Sequence, residues 1–312
     1  PAPSRRGCDS GLLGRVKTRR MIRCMVTVSA TVVDLDGRRV AFAEGGDPAG
    51  TPVVALHGTP GNRNQLLLMA DEQARALGVR LICPDRPGYG YSSFVADRRL
   101  VDYPDDVEAI ASHLGLDEFG LLGASGGGPH ALACAHRLGR RLSGCSLAAG
   151  VGPLEDPDAA GEMMAVNQWN RRLALRAPAV LTAVSKLVLR LERRWPERAI
   201  TAMGGQMADA DREILRRPDV VRALFTDLSP ADARAMTQDF ALFAAPWGFA
   251  LSEIEAPVAI FHGTADRNVP IGHSRAMKAQ LPSATLTEYP DGGHLAMVDH
   301  PEVLAAAASS GS

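Results

Sequence analysis

The chain has 312 residues, 46% of them hydrophobic and 22% charged, and its net charge is −1. That balance allows a sizeable core and offers no overall field for nucleic acid. No run of about 18 apolar residues occurs, so no membrane span is read.

The first 29 residues carry seven basic side chains against Asp9 alone, a net of +6. We read 1–29 as a basic extension outside the fold. One account has it translated upstream of a start at Met21 or Met25. The other is a targeting or anionic-surface segment, a mitochondrial-type presequence, rich in Arg and poor in acids, being one form of it. No apolar stretch of about 7–15 residues follows, as a secretory signal needs. Five scattered cysteines with no C-x-x-C pair point to a reducing, cytoplasmic setting.

Strand-like runs at Thr31–Leu35 and Arg39–Ala43 flank Asp36-Gly37, a hairpin signal. Buried-strand runs follow at Pro52–His57, Val79–Cys83, Phe119–Gly123 and Ser143–Ala149. Helical patterns at about 63–77, 102–114 and 127–138 separate them. Alternating strands and helices predict a mostly parallel twisted sheet with helices on both faces. Residues 151–246 then show helical patterns, such as Ala165–Arg176 and Ala179–Arg194, and no convincing strand. Strands resume at Pro257–His262 and Ala284–Tyr289. The expected architecture is an α/β core over 30–150 and 247–312, with an all-helical cap insertion at 151–246. Ligands of open α/β sheets bind beyond the carboxyl ends of the strands, where such a lid encloses them.

Gly123-Ala124-Ser125-Gly126-Gly127 fits G-x-S-x-G. Alone the pattern is weak, because a serine in a glycine turn also caps helices. Its setting is specific: an apolar strand precedes it and a helix with Pro129 near its start follows. Strand, serine and helix in that order form a nucleophile elbow, with helix-end partial charge beside the hydroxyl.

From these residues the chain resembles the α/β-hydrolase fold family over about 30–305. His57-Gly58-Thr59-Pro60-Gly61 resembles the oxyanion loop. Asp85 to Ser92 resembles the D-x-x-G-x-G-x-S loop, and Ala124 to Pro129 the elbow of esterase-like and proline iminopeptidase-like members. Gly263 to Pro270 resembles the acid loop, and Gly292-Gly293-His294 the histidine loop. The resemblance implies Ser125 as nucleophile, His294 as general base and Asp266 as the acid that orients it, in the family's chain order. It implies the backbone N–H groups of Thr59 and Gly126 as oxyanion donors. On that reading the Thr59 side chain is not needed for the role.

Asp291 and Asp156 stay open as rival acids. His57 is read as bracing its own loop and His130 as part of the helix after the elbow. His113, His136, His273 and His300 lack metal-ligand spacing, so neither a metal nor a cofactor is expected. In the insertion, Met163, Met164, Trp169, Trp195, Phe225, Phe240, Phe243 and Trp247 line an apolar pocket or pack the core. The expected partner is a small or medium hydrophobic carboxylic ester, cleaved through an acyl-enzyme; the oligomeric state is open. The alternatives are an N-terminal-proline peptidase, with Glu155, Asp156, Asp158 or Glu162 holding the amine, and a binding protein that keeps the fold without turnover. Thr59 departs from the glycine usual in the peptidase loop. Ser125 argues against relatives that use an aspartate nucleophile.

Overall fold

Asp36 and Gly37 take φ of +52° and +83°. Two successive left-handed residues make the turn whose twist suits a two-residue hairpin. It joins β1 (Thr31–Leu35) to β2 (Arg38–Gly46), with Leu35 opposite Arg38. The computed structural model describes residues 29–154 and 163–309; the basic extension therefore lies almost wholly outside the described residues.

The other strands are β3 (Thr51–Leu56), β4 (Val79–Pro84), β5 (Phe119–Ala124), β6 (Leu142–Ala148), β7 (Val258–Gly263) and β8 (Ala284–Tyr289). They form one eight-stranded sheet in the order β1-β2-β4-β3-β5-β6-β7-β8. β2 runs antiparallel to β1 and β4, and every other pairing is parallel. Each predicted strand is present within a residue of its expected ends, except β2, which runs three residues past Ala43.

Alternation along the strands sorts the core into two layers. Val54 and Leu56 face one layer with Val107, Ile110 and Leu132 from α2 (Pro104–His113) and α3 (Gly128–Leu138). Val53 and Ala55 face the other with Leu66 and Leu67 of α1 (Asn64–Ala76) and Val303 and Ala307 of the C-terminal helix, Glu302–Ala308. Cys83, Cys134 and Cys145 are buried and free, as their apolar runs predict.

Between β6 and β7 the described residues hold α4 (Ala165–Arg176), α5 (Pro178–Arg194), α6 (Pro196–Gly204), α7 (Asp209–Ile214), α8 (Pro218–Phe225) and α9 (Ala233–Phe243). No strand lies among them. Parallel strands deliver their carboxyl ends to one edge, so the loops after β3, β4, β5, β7 and β8 meet there.

The C-terminal helix packs so tightly on β5 that a Cβ at Gly120 would stand 2.1 Å from the Ala307 carbonyl oxygen. Backbone cannot swing aside as a side chain can. Gly120→Ala is therefore expected to cost about 1–3 kcal/mol, the usual range for overpacking. The check is a lower urea midpoint with an unchanged m-value.

Candidate active site

β5 ends at Ala124 and α3 begins at Gly128, so the chain must bend sharply over Ser125–Gly127. Ser125 absorbs the bend at φ +51°, a region side chains rarely adopt. The bend sets Oγ beyond the sheet edge and at the amino end of a helix, where backbone dipoles favour developing negative charge.

Ser125 Oγ–H donates to His294 Nε2 at 3.0 Å, and His294 Nδ1–H donates to Asp266 Oδ2 at 2.7 Å, protons being assigned from the partners. Asp266 stands three residues past β7. Its Oδ1 accepts the N–H groups of Asn268 and Val269 at 2.8 and 2.9 Å. His262 Nε2 lies 3.2 Å from Asp266 Oδ2 and donates to the Val269 carbonyl at 2.7 Å. Burial alone would raise the Asp266 carboxyl. The charge of His294 and the hydrogen bonds from His262 and His294 overcome it and hold Asp266 well below the usual carboxylate range. Burial also disfavours the His294 imidazolium, but the charge and hydrogen bond of Asp266, aided by Asp211, outweigh it and raise the imidazole above its ordinary value.

Thr59 follows β3 on the His57 loop. A Cβ at Gly126 would fall 2.4 Å from Thr59 Oγ1 and 3.1 Å from Thr59 N, so the two predicted oxyanion residues lie side by side. The Thr59 hydroxyl donates to Asp239 Oδ2 and accepts from Arg86 Nη2, both at 2.8 Å. Asp239, fully buried on α9, also accepts from Arg86 Nη1 at 2.7 Å, Arg98 Nη2 at 2.5 Å and Tyr89 OH at 2.8 Å. Burial opposes its charge, and the two guanidinium groups keep it ionised far below the usual range. His57 Nδ1–H donates to the Gly58 carbonyl at 2.8 Å, bracing its loop as expected. His130 donates from Nδ1 to the Gly126 carbonyl at 3.1 Å. Burial, reinforced by Arg86, keeps both imidazoles neutral.

A second buried carboxylate reaches the histidine loop. Asp211 on α7 accepts the His294 N–H at 3.0 Å on Oδ2 and the Leu295 N–H at 2.7 Å on Oδ1. Asp211, Asp239, Arg98 and His262 escaped the sequence reading. In Ala208-Asp209-Ala210-Asp211-Arg212 the acids look like a solvated helix start, and only the fold buries one of them.

A cavity of about 570 Å³ opens at Ser125, within the range of small-molecule sites. Gly58, Thr59, Ser125 and His294 line it from the sheet side; Met164, Trp195, Phe225 and Phe240 line it from the insertion. Met163, Phe243 and Trp247 pack in the core instead, and Trp169 is 60% exposed. Asp291 sits exposed in a turn, its N–H donating to Thr264 Oγ1 at 3.0 Å. Among the described residues nothing joins its carboxylate to His294. Asp156, Glu155, Asp158 and Glu162 lie outside the described residues.

Residues 51–301 match the family model for the alpha/beta hydrolase fold. A proline iminopeptidase of Xanthomonas citri is 34% identical over 104 residues, 32% of each chain, and the chain spans about a third of the length of the first curated relatives it matches. A proline iminopeptidase of Lactiplantibacillus plantarum is 26% identical over 80% of this chain and 87% of its own. A thermophilic esterase from Thermogutta terrifontis superposes with a TM-score of 0.63 at 24% identity, covering 89% of this chain and 96% of its own; that likeness concerns the fold.

Three outcomes follow from the buried carboxylates. Asp239→Ala strands two buried guanidinium groups and is expected to cost about 3–5 kcal/mol, read as a large fall in the urea midpoint. Labelling of Ser125 by a fluorophosphonate should fall as pH drops through the His294 pKa, with its midpoint above about 6.5. Asp211→Asn removes a charge that favours the imidazolium, so its midpoint should move to lower pH. Its plateau rate should drop roughly fivefold, because the Asn amide has one acceptor oxygen and so loses one of the two backbone hydrogen bonds. An unmoved midpoint would show that Asp211 does not act on His294.

Proposed function

The chain belongs to the α/β-hydrolase family, and we propose that within it the protein is a serine hydrolase of carboxylic esters with apolar acyl groups. The hydrogen-bond chain from Ser125 through His294 to Asp266, opening into a largely apolar cavity, carries this reading.

On this proposal the neutral His294 takes the Ser125 proton as Oγ attacks the ester carbonyl. Asp266 holds the other imidazole nitrogen and stabilises the imidazolium that forms. The N–H groups of Thr59 and Gly126 donate to the developing oxyanion. Arg86 and Arg98 against Asp239 leave an excess positive charge behind Thr59, which favours the same transition state. Imidazolium then protonates the leaving alkoxide. Water, activated by His294, releases the acid from the acyl-enzyme. The sequence reading had left the Thr59 side chain without a part; here its hydroxyl holds the oxyanion loop to α9. The inserted helices act as a cap over the strand ends.

One observation favours the aminopeptidase alternative. Glu192 lines the cavity and is half-buried, burial pushes its carboxyl up, and it forms no ion pair among the described residues. Against it, Arg198 lines the same cavity and repels an ammonium. A panel of p-nitrophenyl esters beside proline p-nitroanilide decides between them; turnover of the anilide alone would overturn the ester reading.

Ser125→Ala should abolish ester turnover without lowering the thermal midpoint, and ester turnover within a few-fold of wild type would exclude Ser125 as nucleophile. Asp266→Asn should cost about 10⁴ in kcat, as in trypsin-like enzymes with the wrong tautomer. Asp291→Asn should cost less than about tenfold, a gap that kcat measurements on the two variants resolve.

A further inference from the structure

Buried positions on α5 form a narrow stripe at Leu181, Ser185 and Leu189. A second, solvent-facing stripe runs beside it. Val180, Val184, Leu187, Val188 and Leu191, with Trp195 at the helix end, are each between 42% and 54% exposed. At 3.6 residues per turn these six positions fall within about 100° of arc. The helix thus has two apolar faces, and the protein covers one. Nine of the twelve large hydrophobic side chains exposed among the described residues lie between Val166 and Trp195. Scattered exposed valines need no explanation, but a contiguous apolar face does.

Charge surrounds that face. Residues 165–204 hold eight basic side chains against Glu192 and Glu197, a net of +6 in a chain whose total is −1. Arg190 and Arg194 border the apolar stripe on one side of α5, Lys186 and Arg193 lie further round the helix, and all four are exposed. None of the four is in an ion pair among the described residues. Trp169 and Trp195 carry Arg172, Arg194 and Arg198 near their rings, at 5.5 to 5.9 Å from the centroids. Indole rings and arginines beside an apolar helix face are suited to the boundary between lipid headgroups and acyl chains.

From this we propose that the α5 face, with Trp169 and Trp195, docks the protein on an anionic lipid surface. Electrostatics favours this occupant over the others. A second copy would set +6 against +6. The basic extension, itself net +6, is repelled in the same way. Residues 155–162 are acidic but contain no large apolar side chain to cover valines and leucines. An anionic bilayer offers both the negative surface and the apolar depth. Val188, Leu191 and Trp195 also line the cavity that opens at Ser125. The docked face is therefore the rim of that cavity, and an amphiphile can pass from the bilayer toward the serine without crossing water.

The test uses the full chain as Ser125→Ala, so that docking is read without hydrolysis and stands or falls apart from the ester reading. Flotation with vesicles is expected to show binding to an equal mixture of phosphatidylcholine and phosphatidylglycerol, and little to phosphatidylcholine alone. Replacing Arg190 and Arg194 by Gln should weaken binding roughly fivefold for each charge, about 25-fold together. Val184→Asp with Leu187→Asp should abolish it. These side chains are exposed, so the thermal midpoints should hold. Absence of binding to the mixed vesicles overturns the proposal, as does binding that both sets of substitutions leave unchanged. Dimers that only Val184→Asp with Leu187→Asp dissolves, in a chain that ignores vesicles, would overturn it in favour of a second copy.

Discussion

One buried carboxylate, Asp239, joins the helical insertion to the sheet. It comes from α9 and takes Arg86, Arg98, Tyr89 and Thr59 as partners, each from a loop that the sheet edge brings forward. A charge in that position is tolerable only because two guanidinium groups and two hydroxyls replace its water. The dependence is mutual, since Arg86 is itself fully buried and needs the carboxylate. Thr59 is held by the same oxygen that neutralises Arg86, so the proposed oxyanion loop inherits its position from a helix 180 residues away in sequence.

The histidine side of the site repeats the arrangement with different partners. Asp211 accepts two successive backbone N–H groups at His294 and Leu295, while Asp266 meets the imidazole itself. One carboxylate places the loop and the other orients the ring. Both bear on the protonation of His294 in the same direction, against the effect of burial. The insertion thus touches both arms of the proposed machinery, the oxyanion loop through Asp239 and the base through Asp211. Any motion of these helices would be felt at Ser125 through those two contacts.

The insertion is also unlike the core in how it meets water. Helices α1 and α2 bury one face against the sheet and expose polar ones, and α3 is buried all round except at His136 and Arg137. Helix α5 buries a narrow stripe, and leaves a wide apolar face outside. Folding alone does not require such a face, and it coincides with the rim of the cavity. The proposed ester chemistry and the proposed lipid docking therefore meet at Val188, Leu191 and Trp195.

The architecture and the central residues were legible in the chain because they depend on local signals. Asp36-Gly37 sets a hairpin, continuous apolar runs mark buried parallel strands, and a serine between strand and helix marks an elbow. Ser125, Asp266 and His294 each follow a strand end, so strand order already implies that they meet. One rival falls away only in space: Asp291 faces solvent, while Asp266 is buried against two imidazoles. Asp211 and Asp239 carried no signal at all. Their sequence neighbourhoods resemble solvated helix surfaces, because a polar residue on a helix reads the same whether water or a buried arginine waits opposite it. The same limit hid the face of α5. Periodicity shows that a helix has an apolar stripe, but which stripe the sheet covers is decided by packing between segments far apart in the chain.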